Sequence, residues 1–311
     1  MTILVVTFTY RGDEQLARFG AESLQTLRKL YPQHKIIHYL IDDASNPFET
    51  PYEETENTRY IQTDFDRHGC IYGTEAFANS VRTTRAAALE VNADWVVKLD
   101  SDTVLMSLDF LDEQYDLIGS SRKGEKKFYT WGGCVAYKVQ AVRDIAAAVE
   151  DKDYLHGLEL LCTNKRWQQN EDVLFGYTAT IKLGKSSLIG DLCTDGNLFM
   201  YISDSQTLNP KASAASCKGR YISWLYRPSL SHVTDKSLLT TESVLGRMRE
   251  ADNMVKNRLK ANFSPKESDS TPKYGKLKKM TILVATFTSG KDEPLARQSA
   301  DAVKTLRRIY P

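Results

Sequence analysis

The chain has 311 residues, of which 41% are hydrophobic and 26% are charged, and its formal net charge is +1. This composition is typical of a globular protein, and the near-zero charge predicts no large electrostatic field for nucleic acid or a membrane, although a local patch is compatible with it. The five cysteines are widely spaced and form no CxxC pair, which argues against a zinc site or a disulfide framework and favours a reducing compartment.

The first half of the chain alternates predicted strands and helices. The strands are TILVVTFT, KIIHYLID and DWVVKLD, and the helices between them are DEQLARFGAESLQTLRKLY and TEAFANSVRTTRAAALEV. Alternation of this kind predicts an α/β fold in which a mainly parallel sheet is flanked by helices. The first apolar run is too short to span a membrane and lacks the flanks of a signal peptide. We therefore expect a cytoplasmic protein without a membrane span.

The last part of the chain repeats the first. Residues 280–311 are identical to residues 1–32 at 19 of 32 positions. One strand and one helix cannot bury a core of their own, so we expect residues 280–311 to begin a second copy of the domain in a longer tandem protein. The alternative is a remnant that docks on other protein. Residues 262–279 are rich in Pro, Ser and Lys and predict a linker, which leaves residues 1–261 as the first domain.

The end of that domain is predicted to be a helix. The segment TTESVLGRMREADNMVKNRLKA places four apolar residues at helical spacing, namely Val244, Met248, Val255 and Leu259. Thr240 or Thr241 could cap its first turn. The helix would therefore close the domain near residue 261.

Two acidic pairs follow two of the predicted strands. Asp42 and Asp43 end the second strand, and Asp100 and Asp102 end the third, with Ser101 between them. Parallel sheets bind ligands beyond the carboxyl ends of their strands, so we expect both pairs to reach one crevice. Carboxylates at the end of a buried strand are costly unless something neutralises them. Hard oxygen ligands suit Mg²⁺ or Mn²⁺, with substrate phosphates completing the coordination.

The segment VVKLDSDTVL resembles the metal-binding DxD segment of glycosyltransferases of fold type A (GT-A), whose Rossmann-like sheet binds a nucleotide-sugar through a divalent ion. This resemblance implies that Asp100 and Asp102 bind Mn²⁺ or Mg²⁺ and that Ser101 lies in the donor site. TFTYR resembles the first-strand end beside the base, and LIDDAS resembles the acidic second-strand end that contacts the nucleoside. The implied donor-binding residues are Thr7, Thr9, Tyr10, Arg11, Asp42 and Asp43.

The second half of the chain resembles the β1,3-galactosyltransferase and fringe-like families in two segments. FYTWGGCVAYKVQAVRDI is similar to their glycine-containing acceptor-side strand, and QNEDVLFGY is similar to their EDV..G segment. The resemblance implies that Asp172 is the catalytic base, with Glu171 as the alternative. Both acids would equally suit the first turn of a helix. Late in the domain, His232 would complete the coordination of the metal, and Lys236 would contact a phosphate. The alternative for both is an ordinary residue of a loop.

Together these segments predict an inverting, metal-dependent hexosyl- or pentosyltransferase with a nucleotide-diphosphate sugar donor, most simply a UDP-sugar. Inversion needs a base for the acceptor hydroxyl, and a metal would stabilise the departing diphosphate. The acceptor stays open between a glycan, a small molecule, a protein and a hydroxylated base in phage DNA. Two alternatives are a degenerate copy that only binds donor or acceptor, and a sugar-phosphate nucleotidyltransferase. The second is disfavoured because the loop after the first strand has Gly12 as its one glycine.

Overall fold

The computed structural model describes residues 1–63, 73–119, 133–162, 171–183, 199–201, 212–217 and 240–263. The main sheet contains β1 Thr2–Thr9, β2 Lys35–Asp42, β3 Thr58–Gln62, β4 Trp95–Asp100, β6 Leu117–Gly119 and β7 Cys134–Lys138. A small sheet contains β5 Thr103–Leu105, β8 Phe199–Tyr201 and β9 Ala214–Ser216. The α-helices are α1 Glu14–Leu30, α2 Thr74–Glu90, α3 Val139–Val149, α4 Lys152–Cys162, α5 Glu171–Lys182 and α6 Thr241–Phe263, and a short 3-10 helix, Arg11–Asp13, precedes α1.

The main sheet has the strand order β3-β2-β1-β4-β7-β6. Strands β1 to β4 are parallel, whereas β7 runs antiparallel to both β4 and β6. The predicted α/β class, with a mainly parallel sheet flanked by helices, is confirmed. The chain builds outward from β1 to β2 and β3, and then crosses to the other side of β1 to form β4. The gap between β1 and β4 is therefore a topological switch point, where α/β sheets form their ligand crevice.

Successive side chains of a strand point to opposite faces of the sheet. The sheet therefore has a hydrophobic layer on each face, and helices pack on both. On one face, Ile3 and Val97 pack with residues of α1 and α6. On the other face, Leu4 and Val96 pack with residues of α2, α3 and α5. Strands that are buried on both faces carry continuous apolar runs rather than alternating ones. This explains why β1 and β4 are already visible in the sequence.

Helix α6 closes the layer that contains α1. Thr240 is its N-cap, because the Thr240 hydroxyl accepts the backbone N–H of Ser243 at 3.2 Å. Val244, Met248 and Val255 are buried, as their spacing predicts, whereas Leu259 in the last turns is only partly buried. The helix ends two residues beyond the predicted boundary at residue 261.

The rest of the predicted C-terminal organisation lies outside the described residues. This concerns the linker from residue 264 onward and the repeat at residues 280–311, so the tandem arrangement stays a prediction. Within the described ranges, no helix is both long enough and apolar enough to cross a bilayer.

Candidate functional site

The carboxyl ends of β1, β2 and β4 meet at one edge of the main sheet. Thr9 lies opposite Asp42 in the pairing of β1 with β2, and Phe8 lies opposite Asp100 in the pairing of β1 with β4. Because neighbouring strands are about 4.8 Å apart, the backbones of Asp42 and Asp100 are separated by roughly 10 Å, with β1 between them. The two acidic pairs therefore flank the end of β1, next to the switch point.

Asp100 is the most accessible of the four acids that the sequence predicts at this edge. Its side chain is 48% exposed, and its Oδ1 accepts a hydrogen bond from Nζ of Lys98 at 2.9 Å. The two side chains leave β4 on the same face because they are two residues apart on a strand. The backbone N–H of Asp100 donates to the carbonyl of Gly133 at 3.2 Å. Of the two glycines in the segment FYTWGGCVAYKVQAVRDI, the structure thus brings Gly133 beside the acid, whereas Gly132 lies outside the described residues.

Ser101 and Asp102 form a buried turn between β4 and β5. The Ser101 hydroxyl donates to Oδ2 of Asp13 at 2.7 Å. Asp102 is 7% exposed, and its Oδ1 accepts the hydroxyl of Thr103 at 3.4 Å. Its carbonyl accepts the backbone N–H of Cys217, just after β9, at 3.0 Å. The turn is therefore held by the start of α1 on one side and by the small sheet on the other.

Asp13 is a site residue that the sequence analysis did not identify. It occupies the N-cap position of α1, but its side chain makes no capping hydrogen bond. Losing such a cap costs about 1 kcal/mol, and the buried carboxylate is directed to Ser101 instead. This indicates that Asp13 serves the turn rather than the helix. The available signal was its recurrence as Asp292 in the repeat.

Asp42 and Asp43 are fully buried, and their carboxylates bind the loop that follows β2. Oδ2 of Asp42 accepts the backbone N–H of Phe48 at 2.7 Å and the hydroxyl of Tyr60. Oδ1 of Asp43 accepts the backbone N–H and the hydroxyl of Ser45, at 3.0 and 2.7 Å. Burial raises the pKa of Asp42, against the lowering effect of these hydrogen bonds. The pair holds the loop that follows β2, and its contact with a nucleoside stays a prediction.

The four predicted donor-binding residues from the end of β1 onward differ in accessibility. Thr7 and Thr9 are buried, whereas Tyr10 is partly exposed and Arg11 is exposed. The Tyr10 ring lies against the backbone of Gly12, where an added Cβ would come within 2.5 Å of ring atom Cε2. Nε of Arg11 donates to the carbonyl of Pro47 at 3.1 Å. Tyr10 and Arg11 are therefore the members of this set that a ligand could reach.

The remaining predicted site residues are only partly covered. Among the residues that the structure describes, no group of three or more His, Cys, Asp or Glu side chains lies close enough to hold a metal. His232 and Lys236 lie outside the described residues. The backbone of Glu171 and Asp172 forms the first turn of α5, which fits the helical interpretation, but their side chains lie outside the described part. The third metal ligand, the phosphate contact and the catalytic base stay predictions.

Comparison with known proteins finds structural similarity only. No protein-family model and no curated protein matches the chain. One similar solved structure is the galactosyltransferase LgtC in complex with donor and acceptor sugar analogues, with 14% identity, a TM-score of 0.40, and coverage of 81% of this chain and 95% of that one. Another is a glycosyltransferase involved in the glycosylation of the major capsid of PBCV-1, with 11% identity, a TM-score of 0.41, and coverage of 80% and 100%. Values this low establish no family, so the function is argued from the site.

Proposed function

We propose that the chain is a metal-dependent glycosyltransferase that moves a hexose or pentose from a nucleotide-diphosphate sugar to an acceptor hydroxyl. The observation that carries the proposal is the position of Asp100, Ser101 and Asp102 at the carboxyl end of β4, beside the switch point. Open α/β sheets bind their ligands at this position. The GT-A assignment, a UDP-linked donor and inversion are finer parts of the proposal and are supported by the sequence resemblance.

The residues of this turn fit a hard divalent cation. Asp100 and Asp102 supply carboxylate oxygens, which Mg²⁺ and Mn²⁺ prefer in proteins. Mg²⁺ commonly uses one or two carboxylates and leaves the other positions to water and substrate phosphates. The buried Asp102 would be held in place by its turn, while the half-exposed Asp100 would stay open to the ligand. When bound, the ion would stabilise negative charge on the departing diphosphate.

The protein's own groups would bind the donor and move the proton. Tyr10 and Arg11 would contact the nucleoside half of the donor, with the loop held by Asp42 and Asp43 as the wall beside it. Asp172, or alternatively Glu171, would accept the proton of the acceptor hydroxyl as its oxygen attacks the sugar. We further expect His232 to bind the metal and Lys236 to contact a phosphate.

The first experiment is a thermal-shift titration with nucleotides and nucleotide-sugars, in Mn²⁺, in Mg²⁺ and with a chelator. A ligand that binds only the folded state raises its stability with the logarithm of saturation. We expect the melting temperature to rise with UDP or a UDP-sugar only when metal is present, and we expect Asp100→Asn and Asp102→Asn to abolish this rise. Asp116→Asn is a matched control, because Asp116 is also 48% exposed and lies near a lysine, 4.0 Å from Nζ of Lys138.

Two results would contradict the proposal. An Asp102→Asn protein that binds and turns over donor like the wild type would show that the metal assignment is wrong. A wild-type protein that binds nucleotide-sugar but neither hydrolyses nor transfers it would favour the alternative of a degenerate, binding-only copy.

The acceptor is addressed by a separate transfer assay. Labelled donor would be incubated with glycans, small molecules, proteins and DNA that carries hydroxylated bases. Incorporation of label into one of these classes identifies the acceptor class.

A further inference from the structure

We propose that Lys98 is a positioning residue that makes metal binding at Asp100 depend on the donor. The inference rests on the proposed function, because it concerns the same carboxylate. Nζ of Lys98 lies 2.9 Å from Oδ1 of Asp100, so an ammonium group already contacts one of the two oxygens of the carboxylate that would hold the metal. Two cations at one carboxylate repel each other, and at this partly buried position solvent screens the repulsion only in part.

The surroundings of Lys98 keep its ammonium group at this place. The residue lies in the middle of the sheet, opposite Val6 of β1 and Val135 of β7. Its side chain is 11% exposed. The stem borders an apolar cavity between the sheet and its helices, which is lined among others by Phe8, Val81, Tyr137, Val142, Ile145 and Phe175. A lysine stem in apolar surroundings extends until its charged end meets a polar group, and among the described residues its ammonium reaches the carboxylate of Asp100 at the end of the same strand.

This arrangement predicts cooperative binding of metal and donor. Without the donor, Lys98 already balances the charge of Asp100, so a free divalent ion gains little there. The diphosphate of the donor brings further negative charge to the turn. This charge can balance the metal ion while the carboxylate of Asp100 still balances the ammonium group of Lys98. Each ligand should therefore raise the affinity for the other by the same factor. In this way, Lys98 would keep the site from binding a metal ion when no donor is present.

The test measures bound Mn²⁺ by electron paramagnetic resonance, with and without UDP, in the wild type and in Lys98→Met. Methionine keeps most of the stem's volume and its apolar contacts but removes the charge. We expect UDP to tighten Mn²⁺ binding to the wild type by about tenfold or more, within the usual range of coupling between sites. Lys98→Met should bind Mn²⁺ alone about tenfold more tightly than the wild type, and UDP should add less.

Two further variants keep the test decisive. Lys98→Gln retains a hydrogen-bond donor without the charge and should shift Mn²⁺ affinity in the same direction, which covers the case that the methionine variant does not fold. Lys138→Met is the matched control, because Lys138 also lies on a strand of the sheet and its Nζ is 3.3 Å from a carboxylate oxygen of Glu113. This control should leave Mn²⁺ affinity and its dependence on UDP unchanged.

The outcomes separate this inference from the proposed function. If the wild type shows coupled binding and both Lys98 variants bind free Mn²⁺ with wild-type affinity, Lys98 merely stabilises the strand and the inference is wrong. If the wild type binds neither Mn²⁺ nor UDP, the proposed function fails first, and the inference fails with it.

Discussion

Lowering the pH from 7 to 5 should destabilise the fold through His38. This side chain is 1% exposed, its Nε2 lies 3.0 Å from the Thr7 hydroxyl, and its Nδ1 is buried without a hydrogen-bond partner. Burial, with a smaller effect of the Arg28 charge, lowers the pKa of His38 from 6.5 to about 3. Because the folded pKa lies below the unfolded one, the stabilisation is complete above pH 6.5 and is lost as the pH falls towards 3.

The size of the effect follows from these two pKa values. One pKa unit corresponds to about 1.4 kcal/mol. With an unfolded pKa of 6.5 and a folded pKa of about 3, the free energy of unfolding should fall by about 2 kcal/mol between pH 7 and pH 5. That is a large part of the roughly 5–15 kcal/mol by which proteins are stable, so it should be visible in a denaturation midpoint.

The assay is urea unfolding at both pH values, for the wild type, His38→Gln and His156→Gln. Glutamine cannot be protonated here but can still form a hydrogen bond with Thr7, whereas His156 is 69% exposed and serves as the control. The carboxylates also contribute to the pH dependence of the free energy of unfolding, and so does His34, whose pKa is lowered by burial. These contributions are the same in all three proteins. The loss of stability should therefore be about 2 kcal/mol smaller in His38→Gln alone. Equal losses in all three proteins would refute the argument.

Two further predictions concern buried hydrogen bonds near the carboxyl ends of the strands. Asp42→Ala leaves the buried N–H of Phe48 and the hydroxyl of Tyr60 without their acceptor. The free energy of unfolding measured in urea should therefore fall by about 3 kcal/mol, whereas Tyr60→Phe should lower it by only about 1 kcal/mol. Equal losses in the two variants would contradict this assignment. Ser101→Ala removes the hydrogen bond to Asp13 and should lower stability by about 1 kcal/mol and reduce the thermal shift with UDP and Mn²⁺. An unchanged shift would show that this contact does not organise the site.

The parallel part of the sheet could be predicted from the sequence because its signals are local. The predicted strands at residues 2–9 and 35–42 coincide with β1 and β2, and the predicted strand at residues 94–100 differs from β4 by one residue. Helices α1 and α2 also match within a residue at each end. The helices repeat their apolar residues over several turns, and the strands are mainly apolar runs of six to eight residues, so both patterns can be recognised in the sequence.

The edge strand β6 and the small sheet carried no such signal. Strands β5, β6, β8 and β9 have three residues each, which is too short for a period to be read. Their pairing depends on partners far along the chain, as when β5 pairs with β9. Nonlocal pairing of short segments is a property of the folded chain, and residue patterns do not reveal it.

The sequence by itself determined that two acidic pairs end buried strands, and strand alternation implied that both reach one edge. Only the tertiary structure decided what each carboxylate does there. Asp42 turns to its own loop, Asp100 is paired with Lys98, and Ser101 meets an aspartate 88 positions away in the chain. The physical reason is that strand order and register bring distant residues such as Ser101 and Asp13 together, and the folded backbone decides which of the nearby polar groups each carboxylate reaches.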